Sequence, residues 1–216
     1  HIQSIHPGLI ALNASDRFVP GLRGLSLKNV EVRITQEDGK EVYQGFGEML
    51  FTHFGVSGPL ILSASSLLQK YLLEKKKSWK EAGFLLHIDL KPALGQDKLD
   101  GRVLRDLERY RGRHMENALQ DLLPERLIAA VLEQSGIDAM QRAGDLTRQQ
   151  RMKLVETLKD LRCHLTGTRP IEEAIVTMGG VDTRELDPRT MQSRLHPGLY
   201  FAGEVVDVDA LTGGYN

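Results

Sequence analysis

Val30-Glu31-Val32-Arg33-Ile34-Thr35-Gln36-Glu37-Asp38-Gly39-Lys40-Glu41 is the stretch whose reading decides the fold. Val30, Val32 and Ile34 alternate with polar residues, the period of a strand with one face buried and one face in water. Asp38-Gly39 tolerates the positive φ angles of a tight hairpin, so Glu41 to Phe51 is expected to return antiparallel to the first strand. Gly45 and Gly47 within that return predict a bulge or sharp bend. Thr52 to Gly58 then reads as a loop, in which Ser57 is placed as a helix cap. Pro59 is suited to the first residue of a helix, and Ile61, Leu62, Ser65, Leu68, Tyr71 and Leu72 keep helical spacing to about Lys75. Phe84 to Leu90 reads as a further strand.

Glycine usage sets the wider organisation. Residues 1–95 hold ten glycines, residues 96–166 four, and residues 167–216 seven, so turn-rich segments flank a block with few breaks. That block reads as four helices. Asp97 caps the first, which carries Val103, Leu104 and Leu107; the second carries Met115, Ala118, Leu119 and Leu122. Pro124 opens the third, which stops at Gly136, and Thr147 caps the fourth. After it, Ala174 to Met178 and Leu199 to Ala202 read as short strands, the first ended by Gly179-Gly180 and the second by Gly203-Glu204. The predicted class is α+β: a β-barrel-like insert domain over 1–95, a small helical subdomain over 96–163, return strands over 164–182, and a partial Rossmann-type segment over 183–216.

Composition narrows the function. The 28 basic and 29 acidic residues leave a net charge of −1, which gives no electrostatic reason to expect a nucleic acid or an anionic membrane as partner. A single cysteine, Cys163, cannot form an internal disulfide or a cysteine zinc site, and it fits a cytoplasmic setting. Adjacent residues of a strand face opposite ways, so Cys163-His164 is not expected to act as a thiolate–imidazole pair. The sequence contains no H-E-x-x-H, G-x-S-x-G, Walker A or G-x-G-x-x-G motif, and no metal site is expected.

The C-terminal residues carry more. In Pro197-Gly198-Leu199-Tyr200-Phe201-Ala202-Gly203-Glu204 a strand runs into a glycine and a carboxylate, and Gly213-Gly214-Tyr215-Asn216 closes the chain. A glycine lets backbone approach a cofactor, and a carboxylate beyond it accepts hydrogen bonds from ribityl hydroxyls. With Leu50 to Pro59, Leu123 to Leu127, Val176 to Val181 and Arg189 to Ser193, these motifs resemble the BaiN-type family of FAD-dependent oxidoreductases, also called aminoacetone-oxidase-type flavoproteins, over essentially the whole chain.

The resemblance implies FAD as cofactor of the parent protein. Gly203 and Glu204 would flank its ribityl chain, Gly213, Gly214 and Tyr215 would lie by the isoalloxazine, Asp207 would stand close, and Gly179 and Gly180 would leave room for the ring. His53, in its glycine-containing loop, is the candidate proton donor to a small-molecule substrate receiving hydride, with NAD(P)H as electron donor. Members of that family also carry an N-terminal G-x-G-x-x-G half, so this chain is expected to be about half of a working flavoprotein. Alone, it should not retain FAD and should self-associate through the surface left exposed. Pro-Gly-Leu-Tyr-x-Ala-Gly-Glu is also similar to fumarate-reductase-like flavoproteins. A non-catalytic module gripping a protein through residues 97–162 is the reading from a different class.

Overall fold

The computed structural model describes residues 1–209. In chain order the strands and helices are β1 (Ile2–Gly8), β2 (Leu12–Ala14), β3 (Ser26–Thr35), β4 (Glu41–Phe51), β5 (Gly55–Ser57), α1 (Pro59–Lys75), α2 (Trp79–Ala82), β6 (Leu85–Asp89), α3 (Gln96–Arg109), α4 (Met115–Ala118), α5 (Glu125–Ser135), α6 (Arg148–Lys159), β7 (Leu161–Thr168) and β8 (Val176–Val181). Six strands close an antiparallel barrel in the order β2-β5-β4-β3-β6-β7, with β2 pairing both β5 and β7. Closure leaves the barrel no unpaired edge. β1 and β8 form a separate two-stranded antiparallel sheet. This mixed architecture, a closed barrel with helices, is the α+β class expected from the sequence.

The hairpin of β3 and β4 follows the predicted register, with Val32 opposite Gly45 and Ile34 opposite Tyr43. The bulges fall elsewhere than predicted. One lies on β3 at Lys28-Asn29, where Asn29 takes φ 55°, and the other at Val42. Gly45 instead lies under Tyr43 and α1, since a Cβ there would stand 2.5 Å from the Tyr43 hydroxyl and 3.0 Å from Leu60 Cδ2, while Gly47 takes φ 155° with Leu60 at ordinary contact distance. Val30, Val32, Ile34, Met49, Phe51, Val56, Leu86, Ile88 and Cys163 are buried in the core.

Helix α1 starts at Pro59, but Ser57 does not cap it. Ser57 pairs with Leu50 as the last residue of β5, and Gly58 takes the cap position at φ 91°. A side chain at Gly58 would come within 3.0 Å of the β4 backbone, which excludes serine from that position. The fourth helix of the helical block carries the predicted cap: Thr147 accepts from Gln150 N–H and Gln150 reaches back, a capping box. Gly136 ends α5 at φ 67°. Asp97 does not cap α3; Gly95 holds that position and Asp97 sits in the first turn. The second helix reduces to the four residues of α4. Helices α3 and α5 pack on α6, and their apolar faces join the barrel core without a break.

Leu199 to Ala202 does not form a strand. Its pairing among the described residues is a single bridge between Gln192 and Tyr200, too little to extend an apolar run into a ladder. No described helix is long and apolar enough to cross a membrane.

Candidate functional site

The small sheet is pinned to the barrel by two serines of α1. Leu9 N–H donates to Ser66 Oγ at 3.0 Å and Ile10 N–H to Ser65 Oγ at 2.9 Å, all within the buried interior. These bonds satisfy backbone donors where the chain leaves β1 and Leu9 turns to φ 48°. The far end of the sheet is fixed by Asp182, which accepts from Gln3 Nε2 and from the Arg184 side chain and backbone. The Arg184 bonds hold the Asp182 carboxyl well below the usual carboxylate range.

Gly179 and Gly180 sit at the centre of this region, at φ 95° and 118°. A Cβ at Gly179 would lie 2.2 Å from Ser4 C=O, and one at Gly180 would lie 2.4 Å from Val205 C=O. What the two glycines admit in this structure is therefore backbone, from β1 on one side and from the 203–207 segment on the other. That segment docks on β8 through Val181 N–H to Val205 C=O at 2.8 Å and Asp207 N–H to Val181 C=O at 2.9 Å. Val181, Leu186 and Val206 bury a small apolar cluster beneath it, with Met191 and Phe201 against them.

A cleft of about 480 Å³ opens between this sheet and the C-terminal half of α1, lined among others by Gln3, His6, Lys70, Gly179, Asp207 and Asp209. Two of the residues expected from the sequence, Gly179 and Asp207, thus meet in one cleft. His6 and Lys70 are cleft residues that sequence reasoning did not single out. They lie 64 positions apart in sequence, and only the docking of α1 on β1 joins them. His6 Nδ1 faces Gln69 Nε2 at 3.3 Å.

Gly203 and Glu204 project from the turn that precedes Asp207. Gly203 takes φ 83°, and the space where its Cβ would lie is open to 4 Å. Glu204 is exposed. An open backbone edge beside a free carboxylate fits a polyhydroxyl chain laid along the turn, so these residues fit the ribityl end of FAD. Gly213, Gly214 and Tyr215 lie outside the described residues.

His53 stands apart on the β4–β5 turn and does not line the cleft. Its ring meets Phe54 edge-on at 4.9 Å, the Arg169 guanidinium covers Phe54 at 4.3 Å, and Arg169 holds Glu173 through two hydrogen bonds. That bond lowers the Glu173 pKa, with a smaller contribution from His53. The turn is tight because Gly55 passes under β2, where a Cβ would come 2.0 Å from Leu12 C=O. Cys163 faces the barrel core while His164 faces outward to Asp16, and burial pushes the Cys163 thiol up, away from thiolate chemistry.

Residues 6–176, the barrel and its helices, match the family model described as the HI0933-like protein barrel and H2TH domain. The chain is 35% identical over 209 residues to the ribosomal RNA dihydrouridine synthase of Escherichia coli, covering 97% of this chain and 48% of that protein. It is 32% identical over 202 residues to the enzyme of the same name from Haemophilus influenzae, covering 94% and 45%. A 3-dehydro-bile acid delta(4,6)-reductase from Clostridium scindens is 30% identical over 170 residues, covering 79% and 40%. The chain spans about half the length, or less, of these curated relatives. At this coarser level the flavoprotein resemblance holds, since the matching domain is a flavoprotein-family insert and one relative is a reductase. The extent of the family match and the closed barrel agree: this chain belongs to the HI0933-like family and carries its barrel and H2TH domain.

Proposed function

We infer that this chain is the substrate-side insert and returning cofactor segment of a flavin-dependent reductase that saturates a ring double bond of uridine in RNA. The observation that carries this reading is the match of 97% and 94% of the chain to two ribosomal RNA dihydrouridine synthases. The bile-acid relative supports the same reaction class. Dihydrouridine formation and a delta-reductase reaction both reduce a carbon–carbon double bond conjugated to a carbonyl. Hydride adds to the carbon β to the carbonyl and a proton adds to the α carbon, so two electrons and two protons are consumed.

FAD, when bound, supplies the hydride, and NAD(P)H is the proposed source of its electrons. The chain's own residues bind, orient and protonate. The open edge of Gly203 and the Glu204 carboxylate receive the ribityl hydroxyls, and the docked 203–207 segment holds that edge against β8. The cleft between β1 and α1 receives the base. There His6 is the imidazole that lines the cleft and is the proposed proton source. His53 is the competing donor, and substitution separates the two.

A second reading rests on the bile-acid relative and on the net charge of −1, both of which favour a small steroid enone over a polyanion. The flavoprotein that carries this chain distinguishes them. Anaerobic, reduced flavin should be reoxidised by uridine-containing RNA and not by a steroid enone; reoxidation by the steroid alone would select the second reading.

A further inference from the structure

Charge is unevenly spread over the helical block. Arg109, the last residue of α3, and Tyr110-Arg111-Gly112-Arg113-His114, the turn that follows to α4, together carry three guanidiniums and no carboxylate. A second segment lies against it. Ala143 N–H donates to Arg113 C=O at 2.9 Å, Gly144 N–H donates to Arg111 C=O at 3.0 Å, and His114 forms a bridge with Arg142, which brings the backbone of a fourth, exposed arginine alongside. This approach requires Gly144, because a Cβ there would stand 2.3 Å from Arg111 Cγ.

Tyr110 organises the group. The guanidinium carbons of Arg109 and Arg113 lie 5.1 and 4.8 Å from its ring centroid. The Tyr110 hydroxyl donates to Asp121, which fixes the ring. A cation–π contact of this kind engages the ring without using guanidinium N–H donors, and those of Arg113 remain for a ligand. Arg113 and Arg142 have no carboxylate partner among the described residues. Arg109 reaches Asp121 at 3.4 Å and Arg111 reaches Glu108 at 3.6 Å, yet both arginine side chains remain 70% exposed. Exposed pairs of this kind contribute little and give way to a better acceptor.

We propose that this four-arginine turn binds the phosphodiester backbone of the RNA substrate, holding the strand at the helical block while a base enters the cleft. The inference rests on the RNA reading above. Guanidinium forks match phosphate oxygens, and each neutralised phosphate releases counterions, which makes the binding salt-dependent. A chain with no excess of basic residues overall binds a polyanion through such a local concentration of charge.

The test measures binding of fluorescently labelled ribosomal RNA fragments to the intact flavoprotein across a salt series, comparing wild type with a triple R111A/R113A/R142A variant. The variant should weaken binding by about one to two orders of magnitude, and its slope of log affinity against log salt should be shallower by about 2 to 3, near 0.7 to 0.9 per lost contact. A triple lysine variant, which keeps the charge, should retain most of the slope; its flavin content and melting temperature show that the fold is intact. Wild type and alanine variant binding RNA alike would overturn the role of the turn while leaving the RNA reading in place. Wild-type protein that binds anionic vesicles but no RNA at low salt would overturn both.

Discussion

Replacing Gly180 with alanine should release the 203–207 segment from β8 without unfolding the barrel. The new Cβ would lie 2.4 Å from Val205 C=O, a backbone atom that cannot swing aside as a side-chain tip would. At φ 118° the alanine is also in a region open almost only to glycine, costing about 1–3 kcal/mol. Relief comes most easily by giving up the two backbone hydrogen bonds that dock the segment, Val181 N–H to Val205 C=O and Asp207 N–H to Val181 C=O, at about 1 kcal/mol each. The strain raises the docked state, so the local opening free energy should fall by about 1–3 kcal/mol, which raises amide exchange at Asp207 by about one to two orders of magnitude. Hydrogen exchange resolved at the amides of Val181 and Asp207 reads this directly, with amides of β3 and β4 as internal controls. Gly39→Ala, whose φ is 81° with open space around it, supplies the strain without the clash. Equal protection at Asp207 in wild type and Gly180→Ala would refute the argument that Gly180 exists to admit this backbone.

Glu204→Ala should reduce FAD retention by the intact flavoprotein, measured as flavin absorbance after desalting. The 216-residue chain alone, lacking G-x-G-x-x-G, should show little or no FAD binding by calorimetry. Ile2, Ile5, Leu195, Tyr200 and Val208 each expose more than half of their surface, so the isolated chain should self-associate, read as a concentration-dependent shift in size-exclusion chromatography. Asp160 is half-buried, which disfavours its charge, but bonds from Arg162 and His87 outweigh burial and hold its pKa below the ordinary value. A depressed carboxyl stabilises the fold above its unfolded pKa and loses that contribution as pH falls through the folded one. The stability gap between wild type and Asp160→Asn should thus be full at neutral pH and shrink below about pH 4, followed by chemical denaturation across a pH series.

Much of the barrel was legible because its signals are local. The alternation of Val30, Val32 and Ile34 with Asp38-Gly39 after it placed β3 and β4, and Pro59 and Thr147 placed two helix starts. Strands β2 and β5 have three residues each, too few for a period to show, and their pairing is a product of barrel closure. The run Leu199 to Ala202 misled for the opposite reason: its apolar pattern is that of a strand, but a strand also needs a ladder partner. At the site, Gly179-Gly180 reads in sequence as room for a flavin ring at the end of a strand; in the structure both glycines lie within β8 and the space beside them is taken by backbone of β1 and of the 203–207 segment. Nothing local marked His6 and Lys70, because β1 and α1 meet only in the folded chain.

The most direct test of the central claim is the dihydrouridine content of ribosomal RNA, measured by mass spectrometry of nucleosides from cells with and without the flavoprotein that carries this chain. Dihydrouridine should be lost from the ribosomal RNA in its absence and restored by the wild-type gene. Identical dihydrouridine content in the two strains would contradict it.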